Sequence, residues 1–268
     1  MTTDQTRLRE LIARPVHPAL VGELRRDGNL FFVGGELPAR QTLETVFDSH
    51  CQVPAELFHI TFGGLDTFHL GEELARQLKR NFSTHIVGRL DFPAPRYILE
   101  RAYAAGVDIL DLPLYVFDPA AARERGLERD RRLASLEAAR SVFPRWGVAT
   151  TLMAGEESPC VTRRGIDELL AAGIVPLVEL SPRAFHYPLD EIAELFGHLA
   201  AAWRRHKVVT LPLQPLVGCL TPLVAVRKAG ILRGFIDRVH DRQLLATSDL
   251  RRSLRVRQVE QSFESAGL

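Results

Sequence analysis

From residue 29 to residue 181 the chain repeats one unit, a short apolar run stopped by Gly or a polar residue and then a segment of helix length. The first of these, 30–33, is apolar throughout rather than alternating, the pattern of a strand buried on both faces. Strands separated by helices cannot pair as hairpins, so the repeat demands parallel strands joined by helical crossovers. The runs are 30–33, closed by Gly34 and Gly35; 58–62, closed by Gly63 and Gly64; 85–90; 107–114; 146–153, reaching Gly155; and 174–180, ended by Ser181 and Pro182. Helices are expected in the loop after the first run and over 71–82, 95–105, 130–143, 162–172 and 189–206. In 189–206, Ile192, Leu195, Phe196, Leu199 and Trp203 fall on one face. Gly106 and Gly173 stand at helix C-cap positions.

Six such units fit either a closed barrel or an open doubly wound sheet. The first strand is not followed by a Gly-x-Gly-x-x-Gly turn, and no acidic residue follows the second in the dinucleotide arrangement, which lowers the open dinucleotide-binding alternative. In a parallel barrel the reactive groups sit at the strand C-terminal ends. Here those ends carry Gly34, Gly35 and Glu36; Gly63, Gly64 and Asp66; Arg89 and Asp91; Asp111 and Tyr115; Gly155, Glu156 and Glu157; and Glu179 and Ser181. Asp108 and Asp111 lie three apart on one strand and therefore face opposite sides, Asp111 being the better placed for a site. The glycine pairs have two readings of equal weight, as strand-to-helix turns or as backbone that cradles a carboxylate or phosphate.

The cadence over 29–206 resembles the barrel of radical S-adenosylmethionine (SAM) enzymes. Residues 58–66 resemble the second strand and Gly-Gly-Glu turn of that family, with Leu65 at the glutamate's position and Asp66 one place later. Residues 150–157 resemble its fifth-strand segment, and 132–182 is similar to biotin-synthase-like members. Pro176 and Leu177 fall where the sixth strand runs beside the adenine. The resemblance implies an α/β fold, a partial (β/α)6 TIM-type parallel barrel over 29–206, with a helical lead-in at 1–28 and a Pro-rich segment with C-terminal helices at 207–268. It also implies a SAM site formed by Gly34, Gly35, Gly63, Gly64, Asp66, Gly155 and Pro176. The family holds its iron-sulfur cluster by three closely spaced cysteines, and residues 35–57 contain Cys51 alone. The expectation is therefore a barrel without a four-iron cluster and without a metal site. It would be a small-molecule or SAM-binding protein, or an accessory protein of a cofactor or metabolite pathway. The alternative is a non-radical lyase, aldolase or isomerase with Asp111, Glu156 and Glu179 as acid-base groups.

His50, Cys51 and His59 lack a further ligand of matching spacing and read as ordinary histidines and a small buried thiol. Three cysteines, odd in number and far apart, argue against a disulfide framework and for a reducing, cytoplasmic setting. With 34 basic against 33 acidic side chains, the whole-molecule field gives no attraction for nucleic acid or anionic membrane. The polar first fourteen residues do not read as a secretory signal, and no stretch is apolar enough for a membrane span. The nearest approach, 208–226, holds Pro212, Pro215 and Pro222 and reads as a poor helix. Helices are expected over 231–245 and 248–263, the latter presenting Arg251, Arg252, Arg255 and Arg257 to solvent. The 207–268 region is the candidate surface for a protein partner or a second copy of the chain.

Overall fold

Each apolar run becomes a strand of one sheet in the computed structural model, which describes residues 1–224 and 243–254. In chain order the elements are β1 (Thr2–Thr3), α1 (Gln5–Ala13), β2 (Leu24–Asp27), β3 (Leu30–Gly34), α2 (Ala39–Gln52), β4 (Leu57–Thr61), α3 (Phe68–Asn81) and β5 (His85–Arg89). There follow α4 (Arg96–Ala104), β6 (Ile109–Asp111), α5 (Pro119–Glu124), α6 (Arg129–Val142), β7 (Val148–Ala154), α7 (Pro159–Ala171), β8 (Val175–Leu180), α8 (Leu189–Arg205), α9 (Gln214–Leu220) and β9 (Leu223–Val224). Among the described residues the main sheet has seven strands in the order β2-β3-β4-β5-β6-β7-β8. From β3 to β8 every strand is parallel to its sequence successor. A doubly wound sheet would reverse that order at a switch point. The sheet is instead curled into a mostly parallel half-barrel.

Register fixes which side chains share a face. Gly34 aligns with Thr61, Thr61 with Arg89, and Arg89 with Asp111. On the other side of the hollow Met153 aligns with Glu179. The strands β5 and β8 are three positions apart, about 14 Å in a flat sheet, yet the side chains of Arg89 and Glu179 meet at 2.8 Å. Their row therefore lies on the concave face.

The outer face is sealed by helices with apolar stripes. Leu74 and Leu78 of α3, and Ile192, Leu195, Phe196 and Leu199 of α8, are fully buried, each stabilising the fold by about 2 kcal/mol on area grounds. The Trp203 indole N–H finds a buried acceptor, the Pro176 carbonyl, at 3.2 Å. Two helices following polar loops have side-chain caps at their starts, Asp118 accepting from the Ala121 N–H and Ser158 from the Val161 N–H.

Four details depart from the sequence reading. The lead-in is not helical throughout, because β2 pairs antiparallel with β3 and adds an edge strand. Its Arg25 and Arg26 lie over the rings of Phe32 and Phe31, so a charged segment is held by cation–π contact rather than by apolar burial. The short helix α5 was not anticipated. In the Pro-rich segment, Pro212 and Pro215 occupy the first turns of the 3-10 helix Leu211–Leu213 and of α9, where a missing N–H is harmless.

Finally, residues 243–254 are helical through 246 and 247, where a break was expected. Arg252 on that helix is buried rather than solvated, donating to the Tyr103 carbonyl at 2.8 Å and to Asp108 at 2.7 Å. Residues 231–242 of the helix expected at 231–245, and 255–263 of the one expected at 248–263 with Arg255 and Arg257, lie outside the described residues. Among the described residues no helix is long and apolar enough to cross a membrane.

Candidate functional site

Arg89, Asp111 and Glu179 reach the hollow from the C-terminal ends of β5, β6 and β8 and are 7%, 1% and 3% exposed. Arg89 Nη1 donates to Glu179 Oε1 at 2.8 Å and lies 3.5 Å from Asp111 Oδ2. The Thr151 hydroxyl, from β7, donates to the same Asp111 oxygen at 2.9 Å. Asp111 Oδ1 has no partner among the described residues. Burial pushes the Asp111 carboxyl up to about 6, against the pull of Arg89 and with a further push from Glu179. Burial works against the charge on Arg89, but its two carboxylate neighbours raise its pKa above the ordinary value and keep it protonated. The other aspartate of β6's strand region, Asp108, faces the helices as parity requires. Burial opposes its charge, yet Lys79, Arg252 and His85 hold its carboxyl below the usual range.

Two residues deeper along β4 sits His59, 1% exposed and packed at 5.5 Å from the Phe32 ring. Neither of its ring nitrogens, nor the Thr61 hydroxyl above it, has a partner among the described residues. Burial, reinforced by the charge of Arg89, pushes the imidazole down to about 3, so it is neutral at physiological pH. At the mouth, Tyr115 lies between two guanidiniums, Arg89 at 5.8 Å and Arg132 at 5.4 Å from its ring. Burial raises its phenol to about 12, against the pull of Arg89 and with a further push from Asp91. Its φ of 66° is left-handed, a conformation that costs an aromatic residue about 1 kcal/mol or more. The bridge of Tyr115 to Leu152 and the bond from the Met153 N–H to its carbonyl hold it there.

Over this floor opens a cleft of about 540 Å³, walled by 17–21 and the strand ends, with Thr61, Gly63, Gly64, Arg89, Asp91, Tyr115, Met153 and Glu179 in its lining. A second cleft of about 550 Å³ lies at the opposite end, near Asn29, Glu56 and α9. There the Cys219 thiol, pushed by burial up to about 12, donates to Asp27 at 3.0 Å. Size does not separate the two clefts. Only the strand-end cleft stands over ionisable groups converging from several strands.

The residues expected at the site divide. Glu179, Gly63 and Gly64 line the cleft, and Asp111 lies just beneath it. A Cβ on Gly34 would lie 2.2 Å from the Val21 carbonyl oxygen, and one on Gly35 2.9 Å from that of Thr61, so both glycines permit close backbone packing. Gly155, at φ 99°, is pressed against the Ala184 backbone. Glu156 bonds to Ser181 and pairs with Arg125 at 3.0 Å and Arg183 at 3.2 Å. Although burial opposes it, these partners hold its carboxyl below the ordinary range, which suits a structural anchor better than a proton donor. Glu157 accepts from the Phe117 and Asp118 N–H groups and so fixes the loop before α5. Pro176 offers its carbonyl to Trp203, and Asp66 is exposed outside the lining. Arg89 and Tyr115 were placed at strand ends by sequence, but their bridging roles were not; His59 was read as an ordinary histidine.

The three cysteines are free: Cys51 exposed on α2, Cys160 exposed on α7 and Cys219 buried on α9. The segment between β3 and β4 thus offers one thiol, near the C-terminal end of α2, which does not fit a cluster requiring three convergent thiolates. Among the described residues no group of three or more His, Cys, Asp or Glu could hold a metal ion. No protein-family model matches the chain, and no curated protein sequence matches it.

Proposed function

We propose that the chain is a small-molecule-binding protein on a TIM-type partial barrel, its ligand seated in the strand-end cleft and its floor equipped for acid-base chemistry without radicals. The observation that carries this reading is the convergence of Arg89, Asp111 and Glu179, from three strands, beneath an open cleft at the strand C-terminal ends. A carboxyl whose pKa is about 6 is suited to both giving and taking a proton near neutrality. Arg89 beside it would stabilise negative charge developing on a substrate oxygen. Lyase, aldolase or isomerase chemistry fits such a floor, with Asp111 and Glu179 as the acid-base pair and Glu156 removed to an anchoring role.

A second reading seats SAM, the cofactor that the resemblance implies, in the same cleft. Gly63 and Gly64 lie in the lining, and Gly64 has open space where a Cβ would stand, which favours a SAM-like ligand held by backbone at that turn. The other residues assigned to SAM by resemblance lie outside the lining.

Ligand-observed NMR with SAM and a panel of small organic acids, amines and sugar phosphates tests both readings, using Met153→Trp to fill the cleft. Ligands that bind the wild type and are lost in M153W support the cleft. SAM among them supports the second reading. If no compound binds, or if binding survives the filled cleft, the site has been misassigned.

A further inference from the structure

The floor of the cleft carries an unequal set of charges. Among the described residues, Arg89 and Arg132 stand there against Asp91, Asp111 and Glu179. Arg132 is committed elsewhere, to the Pro113 carbonyl at 2.7 Å and to the Asp91 carbonyl and carboxylate at 3.0 and 3.1 Å. Arg89 is left to serve two buried carboxylates, Glu179 closely and Asp111 more distantly. His59 below is neutral, the Tyr115 hydroxyl holds its proton, and His17 sits on the exposed rim. With both carboxylates ionised, the floor is one positive charge short, and a buried uncompensated charge is costly.

We propose that the cleft recognises a ligand bearing a positively charged nitrogen, an organic ammonium with an apolar body, seated against Glu179. The proposal rests on the reading of the strand-end cleft as a ligand site and adds the class of ligand. An anionic head would have to take Arg89 from Glu179 and would bring a further negative charge beside two carboxylates. A metal ion would need a third anionic or imidazole donor grouped with this pair, and none is present among the described residues. The upper walls, with Val21, Phe92 and Met153, suit an apolar body. Asp111, with one oxygen unpartnered and almost no exposure, would respond to such a charge directly.

The consequence is a linked proton. A cation at Glu179 favours the ionised form of Asp111 and drives its proton off, so binding strengthens as pH rises through the range in which Asp111 titrates. The test uses three probes of similar shape and different charge, phenethylamine, 3-phenylpropanol and 3-phenylpropionate, titrated calorimetrically into the full chain. At about pH 7.5 the amine should bind about tenfold more tightly than the alcohol, and its advantage should shrink at about pH 5 as Asp111 takes up its proton. E179Q should lose the preference for the amine, and D111N should lose its pH dependence; circular dichroism establishes that each variant is folded. Equal binding of amine and alcohol, or tightest binding of the propionate, overturns the ammonium assignment while the cleft remains a ligand site. Failure of all three probes in the wild type overturns both.

Discussion

Replacing Asp111 by Asn should stabilise the protein, and increasingly so as the pH rises. Asp111 moves from an ordinary 3.8 in the unfolded chain to about 6 in the fold. Between those values the folded protein keeps a proton that the unfolded chain has released, so wild-type stability is full below 3.8 and declines as pH climbs through 6. At about 1.4 kcal/mol per pH unit the whole decline is about 3 kcal/mol, with no discount for solvent because the side chain is 1% exposed. Asn cannot ionise, so this decline disappears, while its amide oxygen still accepts from the Thr151 hydroxyl. The pull of Arg89 on the ionised carboxylate is already contained in the folded value of about 6, so its loss in the variant adds nothing further to this pH dependence. Urea unfolding followed by circular dichroism, at several values from about pH 4.5 to about pH 7.5, should show the variant gaining about 2 kcal/mol on the wild type across that range. A difference that stays flat with pH would mean that Asp111 titrates normally and would refute the account of the buried floor.

Arg252→Met should have the opposite signature, because Asp108 is held below its ordinary pKa chiefly against burial, by Lys79, Arg252 and His85. With Lys79 left at 2.9 Å as a partial substitute, the loss at neutral pH should be about 2 kcal/mol. It should narrow in acid, where Asp108 protonates in both proteins, and hydrogen exchange should show protection lost at 243–254 while the sheet keeps its own. Gly155→Ala places a Cβ 2.5 Å from the Ala184 backbone nitrogen at φ 99° and should cost about 2 kcal/mol in thermal unfolding. Gly64→Ala, where nothing lies within 4 Å among the described residues, should stay within about 0.5 kcal/mol of wild type.

The strand plan was legible because burial on both faces leaves an unmistakable mark: 30–33 is wholly apolar, and 174–178 is apolar up to Glu179 near the strand's end. Parity was equally plain, and it sent Asp108 to the helices and Asp111 to the hollow. The strand Leu24–Asp27 left no such mark, since a charged edge strand stabilised by arginines lying over rings resembles any polar loop. The glycines misled for a related reason. A close approach to backbone and a cradle for a ligand require the same missing Cβ, and only the neighbours distinguish Gly34, facing the Val21 carbonyl, from Gly64, facing open space. Glu156 and Glu179 were indistinguishable as strand-end carboxylates until curvature brought Arg89 to one and Arg125 and Arg183 to the other.

The pairing of β1 with β9 joins Thr2 to Val224 and Thr3 to Leu223, almost the full described chain apart in sequence. During synthesis the parallel units can form in order as they emerge, each strand docking on its predecessor. The first residues must wait, unpaired, until translation has reached the mid-220s. Asp4, whose carboxylate caps α1 and whose N–H donates to the Pro222 carbonyl, ties the start of that helix to the same late event. Closing so long a loop carries an entropic penalty that shorter contacts do not meet. The nascent chain therefore completes its main sheet in chain order, from β2 to β8, and fastens its amino end last through a separate two-stranded pairing.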